Sequence, residues 1–153
     1  MAEKKTANAK PKPSAAHKRL AALLGTWKTE GTTVASSDHS SVSIRGTDAY
    51  EWLPGKFFLV HHVDVKMGGE HHRAIEMIGY DAVSKSYPMH AYDNQGSATV
   101  MTGTVSKDGV WTFADDATRA TLTVGGDGRS MTAFWERKNG SKWLPWMNID
   151  FRK

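Results

Sequence analysis

Apolar and polar residues alternate with a period of two through most of this chain, in short segments separated by Gly, Pro, Asn and Asp. This alternation is typical of β-strands that have one face buried. The predicted strands are residues 25–34, 42–53, 56–66, 71–80, 87–92, 97–105, 110–114, 118–124, 130–138 and 142–152. Short links between about ten strands predict an all-β fold, a single antiparallel up-and-down β-barrel. A two-sheet sandwich is the structural alternative.

The N-terminal part has a different pattern. Residues 1–13 are rich in Lys, Ala and Pro and are expected to form a disordered basic leader. A short helix is predicted from Ser14, a suitable N-cap after Pro13, to Gly25, a typical helix stop. Its leucines would close one end of the barrel, and residues 14–153 would form the single folded domain.

The link Gly68-Gly69 between two β-rich segments is typical of a two-residue hairpin turn. With these two glycines as the loop, His61 faces Glu76 and Asp64 faces Arg73 on the neighbouring strand. Side chains alternate between the two faces of a strand. The face that carries His61 and Glu76 is the more apolar one, and it is therefore predicted to point into the barrel.

The preceding strand can be aligned through a tight turn at Pro54-Gly55. This turn would place Trp52 opposite Phe57, Tyr50 opposite Leu59, and Asp48 opposite His61. Three neighbouring strands would then bring Asp48, His61 and Glu76 into one inward row. The sequence thus predicts an imidazole between two carboxylates in a largely apolar interior.

This row supplies the candidate catalytic residues, His61, Glu76 and Asp48. An imidazole held by a carboxylate in an apolar cavity can act as a general base. The same residues can instead form a buried polar pair that satisfies itself and sets the strand register. The candidate ligand-binding residues on the same inward faces are Tyr50, Trp52, Leu59, His72, Ile78 and Tyr80.

No metal site and no cofactor are expected. The doublets His61-His62 and His71-His72 resemble metal ligands, but adjacent strand residues point to opposite faces. His72 also lies four residues along the strand from Glu76, the partner of His61, which is roughly 13 Å at the usual strand rise. Cysteine, phosphate-loop and dinucleotide-binding motifs are absent from the sequence.

The formal net charge of +4 is localised at the N-terminus. Residues 1–19 contain six Lys or Arg against Glu3, which leaves a net charge of −1 for the remainder. A near-neutral body argues against nucleic-acid binding. No segment has the length of a membrane-spanning helix and no signal-peptide core is evident, so a cytoplasmic protein without a membrane span is expected.

The segment Leu23-Leu24-Gly25-Thr26-Trp27, with Gly31 closing the strand, resembles the Gly-x-Trp opening of lipocalins and related calycin barrels. Residues 78–81 and 92–96 look like segments of uncharacterised bacterial lipocalin-like proteins. The resemblance covers about residues 20–153 and implies a barrel with a cavity for a small, largely apolar molecule.

Nitrobindin-type barrels begin with a similar sequence, but their haem ligand is a histidine near the C-terminus. This chain has no histidine after His90.

Three functions follow from the sequence. The first is binding of a small hydrophobic or aromatic molecule inside a barrel whose tryptophans and tyrosines form the walls. The second is a cofactor-free acid/base enzyme, of isomerase, cyclase or eliminase type, that uses the histidine and carboxylates in the same cavity. The third is a filled barrel that mediates association only.

Overall fold

A computed structural model describes residues 9–153. Ten antiparallel strands form one closed barrel in which each strand pairs with its neighbours in sequence and β1 pairs with β10. The strands are β1 Gly25–Thr33, β2 Ser43–Trp52, β3 Leu59–Met67, β4 Glu70–Ile78, β5 Tyr87–Asp93, β6 Ala98–Val105, β7 Val110–Ala114, β8 Thr118–Val124, β9 Ser130–Asn139 and β10 Lys142–Arg152. The predicted up-and-down barrel is confirmed, and the sandwich alternative is wrong.

A short helix, α1 (Ala15–Arg19), and a 3₁₀ turn (Leu20–Leu23) precede the barrel. Ser14 caps α1 as predicted, because its side chain accepts a hydrogen bond from the His17 backbone N–H. Of the predicted leader, residues 1–8 lie outside the described residues, and residues 9–13 form no helix or strand.

The helical segment closes one end of the barrel. Leu20 and Leu23 are fully buried, and the Leu23 carbonyl accepts a hydrogen bond from Trp27 Nε1 at 2.9 Å. The Arg19 guanidinium donates to the Ser106 carbonyl in the β6–β7 loop at 2.8 Å. The barrel therefore has a closed end, beneath α1, and an opposite end that carries the β3–β4 and β5–β6 turns.

Side chains of the inward faces fill the closed half of the barrel with a hydrophobic core. Its largest fully buried members are Trp27, Trp111, Leu59 and Ile78. None of the helices in residues 9–153 is long and apolar enough to cross a membrane. The buried polar side chains Thr29, Asp48 and His61 line the cavity next to this core, where the candidate site lies.

Candidate functional site

His61 lies in the barrel interior between two carboxylates on the neighbouring strands. Its Nε2 is 2.7 Å from Asp48 Oδ1 on β2, and its Nδ1 is hydrogen-bonded to Glu76 Oε1 on β4. The Tyr50 ring stacks on the imidazole, with 3.8 Å between ring centroids and 9° between the planes. We refer to Asp48, Tyr50, His61 and Glu76 as the acid-imidazole cluster.

The β3–β4 hairpin positions one half of this cluster as the sequence predicts. His61 pairs with Glu76 and Asp64 with Arg73, with Gly68 at a positive φ of 61° in the turn. The inward orientation of this face is also confirmed, since His61 is buried and His62 on the other face is exposed.

The predicted β2–β3 alignment is wrong by two residues. Tyr50 lies opposite His61, Asp48 opposite Val63, and Trp52 opposite Leu59. The reason is the connection, which spans residues 53–58 and contains a turn closed by the Lys56 N–H donating to the Leu53 carbonyl. A shift of two residues preserves which face each side chain occupies. Asp48 therefore still points inward and reaches His61 diagonally.

Thr29 on β1 completes the support of Asp48. Its hydroxyl donates to Asp48 Oδ2, and its side chain is almost completely buried. Both Asp48 oxygens are thus engaged, one by Thr29 and one by His61. Sequence reasoning did not identify Thr29, although the alternation Trp27, Thr29, Gly31 on β1 puts it on the inward face.

The two carboxylates stabilise the charged form of His61. A neutral imidazole has a single N–H and cannot donate to both acids, whereas an imidazolium can. Burial lowers the pKa of His61, but the Glu76 charge and the hydrogen bonds to Asp48 and Glu76 outweigh burial and raise the pKa to about 9. Burial and the negative charges of Asp48 and Glu76 raise the pKa of the Tyr50 hydroxyl well above its usual value.

A cavity of about 460 Å³ extends from the acid-imidazole cluster to the open end of the barrel. Its walls are largely apolar and include Ile44, Val65, Phe113, Leu122 and Phe151. The volume lies within the range of sites for small organic molecules, about 300 to 1,000 Å³. The interior can accordingly hold a compact molecule with an apolar body.

The mouth of the cavity is aromatic and charged. The strand register shifts between Pro145 and Met147, so Trp146 is an extra residue in β10 and its indole lines the cavity against Trp135. The Arg137 guanidinium stacks over Trp146 at 3.5 Å from the ring centroid. Four further mouth residues come from the β3–β4 and β5–β6 turns and their flanks, namely Glu70, His71, His72 and Gln95.

The structure brings together six of the nine candidate residues. Those that line the cavity are Asp48, Tyr50, His61, His72, Glu76 and Ile78. Trp52, Leu59 and Tyr80 are not among the residues that line the cavity. They lie at the closed end, where Leu59 is fully buried and the other two pack against the core. The sequence predicted which residues face inward, but it did not predict how far along the barrel the hydrophobic core ends and the cavity begins.

The mouth residues were not predicted as site residues. Arg137 could have been found, because Met131, Ala133, Trp135 and Arg137 follow one alternating face of β9. Trp146 could not be assigned, since the bulge after Pro145 changes the parity of its strand. Within residues 9–153, no three side chains of the metal-binding types are grouped to hold a metal ion.

Comparison with known proteins gives a family and a fold. The family described as a protein of unknown function, DUF1579, matches residues 12–153. The crystal structure of Rv2717c from M. tuberculosis is similar, with a TM-score of 0.68 over 92% of this chain and 98% of that chain, at 14% sequence identity. No curated protein matches the chain. This structural likeness concerns the ten-stranded barrel alone.

Proposed function

The chain belongs to the DUF1579 family, and we propose that it binds a small, largely apolar or aromatic molecule inside the barrel. The observation that carries this proposal is the cavity of about 460 Å³, which ends at the hydrophobic core under Leu20 and Leu23 and is lined by exposed residues at its other end. Apolar walls with a few polar groups at one point are typical of small-molecule sites. A barrel that served association only would have no need of this interior space.

The acid-imidazole cluster would supply the polar contacts at the bottom of the site. His61 and Asp48 are fixed by their mutual hydrogen bond and by Thr29, and the stacked Tyr50 ring limits rotation of the imidazole. Polar groups that are held in place before the ligand arrives lower the entropic cost of binding. This rigidity supports a role in orienting a ligand.

A cofactor-free acid/base enzyme is the alternative function. Both ring nitrogens of His61 are engaged by carboxylates, so His61 has no free lone pair with which to take a proton. Glu76 Oε2 makes no hydrogen bond within residues 9–153, and this favours Glu76 as the base if a reaction occurs. Chemical conversion of a bound compound, abolished by Glu76→Gln, would support the enzyme over the binding protein.

The binding proposal predicts that a neutral apolar dye enters the barrel. N-phenyl-1-naphthylamine should bind saturably, with enhanced fluorescence, at one site per chain. Ala133 is nearly buried and lines the cavity, so Ala133→Leu should occupy part of the space and weaken binding by about tenfold or more. The measurement is a fluorescence titration.

Ala98→Leu is the matched control, because it adds the same atoms at an exposed position. Its affinity for the dye should equal that of the unmodified protein. Equal affinities in all three proteins would contradict the proposal, since the dye would then be bound at the outer surface.

A further inference from the structure

We infer that the cavity selects an organic monocation, a molecule with an aromatic or apolar body and a protonated amine whose N–H donates to Glu76 Oε2. The inference rests on the proposed function and specifies the chemistry of its ligand. It follows from three features of the cavity: the charge of the cluster, the one carboxylate oxygen that remains free, and the position of the other charged residues.

The acid-imidazole cluster carries a net charge of −1. Two carboxylates and one imidazole share two hydrogen bonds, and each bond requires one proton. An imidazolium that donates both protons to two carboxylates gives the cluster a charge of −1. The charge is therefore a consequence of the geometry.

This negative charge is buried with an incomplete set of partners. His61 and Asp48 are about 6% and 5% exposed, and the Glu76 side chain is 15% exposed. Partners occupy both oxygens of Asp48 and one oxygen of Glu76. No fully occluded side-chain nitrogen or oxygen of the described chain lacks a partner, so Glu76 Oε2, which has none, faces the cavity.

A cationic donor is the group that best completes such a site. A buried charge is costly unless it is paired and hydrogen-bonded. An ammonium N–H on Glu76 Oε2 would neutralise the cluster and form a charge-assisted hydrogen bond. A ligand carboxylate at the same place would add a second negative charge beside an oxygen that can only accept.

The other charged residues of the cavity lie at its mouth and do not reverse this preference. Glu70 and Arg137 carry opposite charges and are exposed to solvent, as is His71. His72 lies four residues from Glu76 on β4, roughly 13 Å along the strand. Solvent screens charges of this kind strongly. The indoles of Trp135 and Trp146 and the ring of Phe113 add aromatic surface that suits an aromatic body.

Three naphthalene probes of similar size test the inference. They are 2-naphthylmethylamine, a cation at pH 7, 2-naphthylmethanol, a neutral donor, and 2-naphthoate, an anion. Isothermal titration calorimetry at pH 7 should rank the amine above the alcohol by about tenfold or more, and the carboxylate last. Equal affinities, or tighter binding of the carboxylate, would overturn the inference.

Glu76→Gln removes the charge and retains the shape of the side chain. It should abolish the preference for the amine while changing the affinity for the alcohol by less than about threefold. Glu51→Gln is the matched control, since the Glu51 carboxylate is 69% exposed and pairs with His62 on the outer face. Its amine preference should be unchanged. A preference that survives Glu76→Gln would overturn the role of this carboxylate.

The two proposals fail in distinguishable ways. If N-phenyl-1-naphthylamine binds inside the barrel and the three probes show no charge preference, the cavity binds ligands and only the monocation inference is wrong. If neither the dye nor any of the naphthalene probes binds, both proposals are wrong. The ranking of the three probes is measured on the unmodified protein alone. The inference can therefore be tested even if the Glu76→Gln variant folds poorly.

Discussion

His61 shows how strand neighbours can reverse the effect of burial on a single residue. Burial alone favours the neutral imidazole, as it does for any histidine removed from water. The carboxylates on β2 and β4 approach the ring from its two nitrogen-bearing sides and favour the cation instead. The pKa of His61 therefore rises to about 9, and the histidine remains charged at neutral pH.

This shift predicts a loss of stability at alkaline pH. The pKa of His61 is above 6.5 in the folded protein. The contribution of the charged imidazole to the free energy of unfolding is therefore complete below about pH 6.5, and it is lost as the pH rises to about 9. The shift from 6.5 to about 9 corresponds to a contribution of the order of 3 kcal/mol. Urea unfolding between pH 6 and 9.5, with an NMR titration of the His61 ring, measures both quantities.

Two variants separate this effect from other titrations. Glu76→Gln removes the largest cause that raises the pKa, so the His61 pKa and the decline of stability with pH should both decrease. Glu51→Gln, on the outer face, should retain the full decline. A ring that titrates near 6.5 in the unmodified protein would contradict the paired-cation interpretation.

At the level of single residues, the alternation of apolar and polar positions identified the acid-imidazole cluster but not the residue that holds Asp48 in place. Asp48, His61 and Glu76 are ionisable residues on apolar strand faces, which is an unusual pattern and therefore informative. Thr29 is a common strand residue, so its burial against Asp48 left no distinctive signal. The protonation state also required geometry, since it depends on both nitrogens being engaged.

At the level of elements, turns determined which alignments could be predicted. The Gly68-Gly69 turn permits only a tight hairpin, and the β3–β4 register follows from it directly. Pro54-Gly55 is compatible with several loop lengths, and the longer loop moved Tyr50 rather than Asp48 opposite His61. An even shift retained the inward face, which explains why the cluster survived the error.

The bulge in β10 predicts different roles for two nearby tryptophans. Trp146→Ala should weaken binding of N-phenyl-1-naphthylamine by about tenfold, because an indole at the mouth that packs on Trp135 would be lost. Trp143 lies outside the cavity, beneath the Arg119 guanidinium at 4.5 Å from its ring centroid. Trp143→Ala is thus the control, with unchanged affinity in the same titration. Equal losses in both variants would exclude a specific role of the bulge.

At the scale of the whole molecule, closure of the barrel creates the cavity. Ten strands enclose more space than the inward side chains fill, and the helical segment seals only one end. The sequence predicted the number of strands and the closure, since the alternation and short links repeat along the chain. It could not predict where core ends and cavity begins, because that boundary depends on how side chains from all strands pack together.

The seam between β1 and β10 depends on a glycine. A Cβ atom on Gly31 would lie 2.3 Å from the Asn148 carbonyl oxygen and 2.9 Å from Ile149 Cα, both of which are backbone atoms. Gly31→Ala must therefore displace one strand of the seam, and it should lower the free energy of unfolding by about 1 to 3 kcal/mol.

Gly69→Ala is the control, because a Cβ there meets nothing within 4 Å. Urea unfolding with similar losses in both variants would show that the seam tolerates a side chain. A selective loss in Gly31→Ala, accompanied by weaker dye binding, would link closure of the barrel to the integrity of its cavity.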